Sequence, residues 1–340
     1  MTRCANSASG QALPYANDGV LGEFSRHRRF NNPIARDLMR DTDTRDIGLK
    51  IANCANTIKA QVLLQEELPP EVNLKAAHVC NARLCPFCEW RRSRVWRKRL
   101  YSGIEALYAE QPKRIGLFLT LTVRNCPLEH LGETLDHMNK SWKRFTKRSF
   151  FPSEYYFRRT EITVGSLTGT GGLNAHPHFH VLLFVKPSYF SHGYVKQLEW
   201  QKQWMDAARL DYVPVVDVRR AKSSSGSGSN TSSDARSAVV EAAKYSTKAT
   251  ALLELGDAIG EFHRQLRHRR LFAVSKALQK YIKAGDVSDA EMMDNDSKPL
   301  PQGAEAIDVF AQWFEDTQDY VITEVSEPSM SRSLPSSAGL

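Results

Sequence analysis

The stretch HPHFHVLLF, residues 176–184, decides how this chain is read. Side chains alternate across a strand, so His176, His178 and His180 share one face while Phe179, Val181 and Leu183 take the other. The apolar face suits packing on helices and leaves the imidazoles at a cleft. Two imidazoles a strand pitch apart bind one divalent cation. An added carboxylate makes a mixed nitrogen and oxygen site suited to Mn2+ or, less well for its nitrogens, Mg2+. Upstream, YYFRRTEITVGS (155–166) reads as a neighbouring strand, joined through the Gly-rich turn GTGG (169–172) in an antiparallel hairpin. It offers one carboxylate, Glu161, which alternation places toward the histidines as a third ligand. A polar strand face without a metal is the other reading of the same pattern.

Working outward, RIGLFLTLTVRN (114–125) predicts a strand in which Leu117, Leu119 and Leu121 alternate with Phe118, Thr120 and Thr122. A helix with Lys140, Lys143, Arg144, Lys147 and Arg148 follows, and residues 196–208 read as another. YVPVVDVRR (212–220) reads as a strand despite Pro214. SSSGSGSNTSS (223–233) is a low-complexity tether with no means of forming a core. Ser233 or Asp234 caps a helix that runs through ARSAVVEAAKYSTKATALLELG to a terminating Gly256. A basic helical segment, EFHRQLRHRRLFAVSKALQKYIKAG, completes the body at Gly285, and no solenoid-like repeat is seen.

On the helix expected after Asp234, Glu241, Tyr245 and Lys248 stand at i, i+4 and i+7, in one line about two turns long. A phenol with pKa near about 10 is a poor nucleophile, but a nearby cation and lysine favour the phenolate. A carboxylate one turn away can activate water or accept a proton. The same spacing also fits an ordinary amphipathic surface.

Cys80, Cys85 and Cys88 form C-x4-C-x2-C, with Cys54 further upstream. A two-residue spacer directs two thiolates to one ion, and structural zinc prefers four tetrahedral ligands, so the expected set is Cys54, Cys80, Cys85 and Cys88. His78 is the alternative fourth ligand, with Cys54 then a core thiol. The helix beginning at residue 91 opens with Arg91, Arg92, Arg94, Arg97, Lys98 and Arg99, with Trp90 and Trp96 interleaved. That mixture fits phosphate contacts and base stacking, or a solvated face.

Charge divides the chain. Residues 286–340 carry twelve Asp and Glu against Lys298 and Arg332, a balance of −10, so residues 1–285 hold +18 of a net +8. A basic body suits a polyanion, because each neutralised phosphate releases counterions. No stretch has the roughly 18 consecutive apolar residues of a spanning helix, and the N-terminus lacks an apolar signal region. The expectation is a soluble cytoplasmic protein without membrane contact.

FLTLT (118–122), HPHFH (176–180) and EAAKYSTK (241–248), in that order, resemble the three motifs of the HUH endonucleases that initiate rolling-circle replication of small bacterial plasmids, the Rep proteins. CNARLCPFCEWRRS (80–93) is similar to the cysteine-rich segment of one Rep branch. That branch has a single tyrosine with a glutamate four residues before it, as Glu241 and Tyr245 stand here. The resemblance covers roughly residues 51–250 and leaves the Ser/Gly insert and acidic tail without a role.

The resemblance implies an α+β fold: a central antiparallel sheet carrying the HUH strand with packed helices, plus an N-terminal zinc-binding module. It makes His178 and His180 the HUH pair, with Glu161 beside them on Mn2+ or Mg2+, and leaves His176 as a second-layer or DNA-contacting residue. It implies a site-specific nickase. Tyr245 cuts single-stranded or hairpin origin DNA to give a 5′-phosphotyrosine and a 3′-OH primer, and Glu241 directs water in the terminating cleavage. Lys244 and Lys248 are expected to contact phosphate or the metal-side charge, Zn2+ to shape the cysteine module, and that module with the basic helix to read or grip the origin. A host helicase and DNA polymerase are the expected partners. An HUH transposase or relaxase, or a zinc-dependent DNA-binding regulator without catalysis, are the other readings.

The expected organisation is a poorly ordered arm (1–45), a zinc-binding and DNA-contacting module (46–110), an endonuclease domain (111–285) with a flexible insert (222–233), and an acidic, largely flexible tail (286–340). Within that tail AIDVFAQWF (306–314) reads as a short amphipathic helix for recruitment or self-docking.

Overall fold

The computed structural model describes residues 21–65, 68–166, 172–221, 239, 247–283, 285–293, 305–326 and 329–330. The chain divides into two compact units, one formed by residues 1–92 and 287–340 and the other by 93–286. The division falls inside a helix, at Arg92/Ser93, and not at residue 110.

The first unit begins with helices α1 (Gly22–Arg28), α2 (Asn31–Arg40) and α3 (Arg45–Ala52), where a poorly ordered arm was expected. Phe24, Ile34, Leu38 and Ile51 bury their side chains, which supplies the core that the polar composition disguises. Arg28 is buried with them and donates to the Ala52 carbonyl at 2.7 Å and to Asn56 Oδ1 at 2.5 Å. Strands β1 (Thr57–Gln65) and β2 (Leu68–Ala77) follow, and then helix α4 (Pro86–Glu110) starts at the cysteine knuckle.

The tail segment AIDVFAQWF is a strand and not a helix. It lies within β9 (Glu305–Phe314), antiparallel to both β1 and β10 (Asp319–Val325), in the order β10-β9-β1-β2. Ile307, Val309, Ala311 and Trp313 are buried at every second position, a period of two that overrides helical amphipathicity. Residues 305–326 are therefore part of the fold, although the tail was expected to be largely flexible. A short helix, α10 (Asp289–Met293), precedes them.

The second unit is built on an antiparallel sheet in the order β7-β3-β6-β5-β8, with a two-residue strand β4 (Cys126–Pro127) also on β6. These strands are β3 (Ile115–Thr122), β5 (Tyr156–Ser166), β6 (Leu173–Val185), β7 (Val216–Arg220) and β8 (Phe272–Val274). The chain is thus a mixture of helices and antiparallel sheets, as expected, and the histidine strand β6 is the middle one. On one face Leu117, Leu119, Leu121, Phe179, Val181 and Leu183 form a buried core with α5 (Leu131–Phe145) and α7 (Gln197–Ala208). Helix α5 meets it through Met138, Trp142 and Phe145, which continue a buried i, i+4, i+7 stripe that begins at Leu131 and Leu135. The short helices α6 (Ser188–Ser191), α8 (Ala249–Leu253) and α9 (Ile259–Leu266) complete the unit.

On the opposite face α4 covers the far end of the sheet, where Trp96 packs 5.5 Å from Phe157 and 4.4 Å from Phe272, and Tyr108 lies 6.1 Å from Phe184. Residues 261–285, expected as one helix, leave helical geometry after Leu266. His268 turns left-handed (φ 61°), and Phe272–Val274 add to the edge of β5, whose backbone groups need a partner.

Candidate functional site

Because β6 is central, His178 and His180 each have a neighbour on both sides. Glu161 on β5 is the register partner of His178, while Thr120 on β3 and Arg159 on β5 flank His180. His180 Nε2 lies 2.9 Å and His178 Nε2 3.6 Å from Glu161 Oε2, and the two Nε2 atoms are 3.1 Å apart.

The remaining ring nitrogens have partners of their own. His178 Nδ1 donates to the backbone carbonyl of His176 at 3.3 Å, and His180 Nδ1 pairs with Thr120 Oγ1 at 3.3 Å. A carbonyl only accepts, so the proton of neutral His178 is assigned to Nδ1, and a threonine hydroxyl that accepts assigns His180 likewise. Both Nε2 lone pairs then point at the carboxylate. Three acceptors converging at 2.9–3.6 Å repel one another unless a cation or proton sits among them. Those spacings suit donor atoms about 2.1 Å from a common ion. The donor set of two imidazoles and one carboxylate fits Mn2+, and Mg2+ less well.

The cluster is mostly buried yet reachable, with 12% of each imidazole and 16% of the Glu161 side chain exposed. Burial disfavours the Glu161 carboxylate, but when the two imidazoles carry protons in place of a cation, hydrogen bonds from His178 and His180 and their charge outweigh it and hold its carboxyl well below the usual range. Phe118 stacks on His180 at 5.3 Å, with the Arg219 guanidinium 5.2 Å from the Phe118 ring. His176 stands outside the ligand cluster. Burial and the neighbouring His178 push its pKa down, and its Nδ1 bonds Asn125 Oδ1.

In the other unit Cys54, Cys80, Cys85 and Cys88 bring their sulfurs within 4.8 Å of one another. Cys54 and Cys88 are 3.5 Å apart, and Cys80 and Cys88 3.7 Å. Tetrahedral zinc with bonds of about 2.3 Å requires sulfur separations near 3.8 Å, so the set fits that ion. Left-handed turns at Ala55 (φ 54°) and Asn81 (φ 55°) bend the chain directly after Cys54 and Cys80. His78 is exposed and contributes only its carbonyl, which accepts from Ala55 N at 2.7 Å, so Cys54 is the fourth member. Burial pushes the Cys85 thiol up, and hydrogen bonding with Cys54 and Cys80 does the same to Cys88, whereas hydrogen bonds from the other three pull Cys80 down.

Comparison with known proteins fits this arrangement to a family. A family model described as "Replication protein" matches residues 71–321, well over half of the chain. The chain belongs to the replication protein family. Curated relatives named "Protein rep" include one from Lentilactobacillus hilgardii, 32% identical over 89% of this chain and 98% of the relative, and one from Streptococcus pneumoniae serotype 2, 29% identical over 87% and 91%. A third, from Lactiplantibacillus plantarum, is 32% identical over 77% of this chain and 85% of the relative. No solved structure matches. The resemblance to the Rep initiators of rolling-circle plasmid replication is thereby borne out.

Other expected residues of this replication protein fall into three groups. Glu241, Lys244 and Tyr245 lie outside the described residues, as do the Ser/Gly insert and the turn residues 169–171. Lys248 is exposed, but its backbone is extended (φ −69°, ψ 143°) where α8 begins, so the single helix through Tyr245 to Gly256 is interrupted. Thr247, just before it, is of a residue type that competes with helical hydrogen bonding.

The basic start of α4 also needs correction. Arg91 is 2% exposed and donates through Nε to the Met292 carbonyl at 2.6 Å. Arg92 pairs with Glu89 and with Asn81 Oδ1 at 2.8 Å, and Arg99 donates to the Gly285 carbonyl at 2.9 Å. Trp90 stacks on His27 at 4.6 Å, and Trp96 is core. These side chains stabilise the fold and are not presented to bases. Arg94 and Arg97 are half-buried and Lys98 is exposed. No described helix of the replication protein is long and apolar enough to cross a membrane.

Thr120, Arg159 and Asn125 escaped the sequence reading. The alternation in FLTLT and YYFRRTE puts Thr120 and Arg159 on the histidine face, but only strand register brings them beside His180.

Proposed function

We propose that the chain initiates plasmid rolling-circle replication as a metal-dependent, single-strand DNA nickase. The observation that carries this reading is the convergence of His178 Nε2, His180 Nε2 and Glu161 Oε2 on one point. Those three side chains would hold a divalent cation, which would supply Lewis-acid polarisation of the scissile phosphate. Tyr245 is the nucleophile: its phenolic oxygen gives up its proton to solvent and bonds to phosphorus, the P–O3′ bond breaks, and the 3′-oxygen takes up a proton from solvent. The products are a 5′-phosphotyrosine and a 3′-OH that a host polymerase extends, with a helicase opening the duplex.

Glu241, four residues before Tyr245, directs water at the terminating cleavage, as in the single-tyrosine Rep branch. Thr120 orients His180, Lys244 and Lys248 draw in phosphate, and the four cysteines hold structural zinc. Arg94, Arg97 and Lys98 are the helix α4 residues that grip origin DNA. A relaxed, nicked plasmid appearing with Mn2+ or Mg2+ and absent with EDTA or in His178→Ala tests the reading. Equal nicking by His178→Ala contradicts it.

A further inference from the structure

Strand β3 ends at Thr122, the register partner of His178, and Arg124, two residues further on, is exposed. The Arg124 guanidinium lies 4.0 Å from the centre of the Tyr212 ring, and the Arg124 backbone N–H donates to the Tyr212 hydroxyl at 2.6 Å. The next residue, Asn125, bonds His176 Nδ1, and the His176 ring is 5.4 Å from that of His178. A continuous line of contacts thus joins the cluster to an exposed cation held in place by an aromatic ring.

The segment that carries Tyr212 is locked from beneath. Gln201 Nε2 donates to the Pro214 carbonyl at 2.6 Å and Gln197 Nε2 to the Val216 carbonyl at 2.8 Å. The Val215 carbonyl accepts from both Thr122 N (3.3 Å) and Thr122 Oγ1 (2.8 Å). On this fixed backbone Val213 and Val215 are 68% and 72% exposed, on either side of buried Pro214. Asp217, two residues further on, is paired with Arg219 at 3.6 Å.

We infer that Arg124, Tyr212, Val213 and Val215 form a subsite for the nucleotides of single-stranded DNA flanking the scissile phosphate. The inference rests on the nickase reading of the neighbouring cluster. A preset guanidinium offers charge to a phosphate and a flat outer face to a base, and the two valines offer apolar area to base faces. Duplex DNA hides those faces within its stack, so the subsite selects an unpaired strand.

Anisotropy of a fluorescein-labelled thymidine 20-mer, titrated in EDTA so that no strand is cut, tests the subsite. Arg124→Ala is expected to weaken binding about tenfold and to reduce the slope of log affinity against log salt by about 0.7. Val213→Ser/Val215→Ser is expected to weaken it about fivefold with the slope unchanged, since no phosphate contact is removed. Arg124→Lys recovers the slope without the full affinity, because an ammonium cannot stack. Mn2+ affinity and thermal melting equal to wild type confirm that each variant keeps the fold and the neighbouring cluster.

Variants that bind the oligonucleotide within twofold of wild type overturn the subsite, as does a wild type that binds duplex only. Covalent capture of origin DNA by wild type, together with unchanged binding by the variants, removes the subsite and keeps the nickase. Weakened binding by the variants without any DNA cleavage by wild type removes the nickase and keeps a single-strand-binding face.

Discussion

Glu161 and His178 face each other as register partners on adjacent antiparallel strands, and His180, two residues along, reaches the same carboxylate oxygen at 2.9 Å. Adjacent strands lie about 4.8 Å apart, so side chains from paired residues meet without a loop to position them. A ligand set built on sheet register is preorganised before any cation arrives.

That preorganisation depends on Thr120. Thr120→Val removes the only oxygen paired with His180 Nδ1 among the described contacts while keeping the side-chain shape. Mn2+ affinity measured by calorimetry should fall about tenfold or more, and Thr120→Ser should recover most of it. Nitrogen-15 chemical shifts of His180 should report a loss of the Nδ1–H form. Unchanged affinity and shifts in Thr120→Val would remove Thr120 from the account.

Zinc should hold the first unit together. Chelation, or Cys88→Ser, is expected to release one zinc per chain and to lower the melting temperature of that unit by 10 °C or more, as about 3 kcal/mol or more of binding energy is lost. Metal analysis alongside calorimetry checks both. A fully folded, metal-free protein would sink the structural-zinc reading.

The two ends of the basic run should behave differently. Arg91→Ala leaves the Met292 carbonyl without its partner and should cost about 1–3 kcal/mol in stability. Lys98→Ala, at an exposed position, should cost less stability than Arg91→Ala and lower DNA affinity most at low salt. Denaturant melts and salt-dependent binding separate the two effects.

Truncation after residue 304 should unfold the first unit, because β9 supplies the partner of β1 along Thr57–Leu64 and buries Ile307, Val309, Ala311 and Trp313. Loss of its cooperative melt is the expected result. A soluble truncation with native melting would return the segment to the status of an appendage.

These outcomes also mark what the chain discloses before folding. The histidine strand and Glu161 were legible because strand alternation is local, and the cysteine set was legible because a short spacer fixes two ligands at once. Strand β9 was missed because its partner β1 lies more than 240 residues away in sequence, and its acidic neighbours masked the period of two. Arg91, Trp90 and Trp96 were misjudged because a helix bristling with cations does not reveal which side its neighbours cover. Thr120 and Arg159 needed the register of three strands, which pairwise spacing cannot supply.

The most direct measurement is a denaturing gel of the purified protein incubated with Mn2+ and labelled single-stranded origin DNA, with Tyr245→Phe and Glu161→Ala alongside. The account predicts a covalent protein–DNA adduct in wild type, none in Tyr245→Phe, and a loss of about a hundredfold or more in Glu161→Ala. An adduct of equal yield in Tyr245→Phe, or specific binding of a verified origin with no cleavage by wild type, would contradict it.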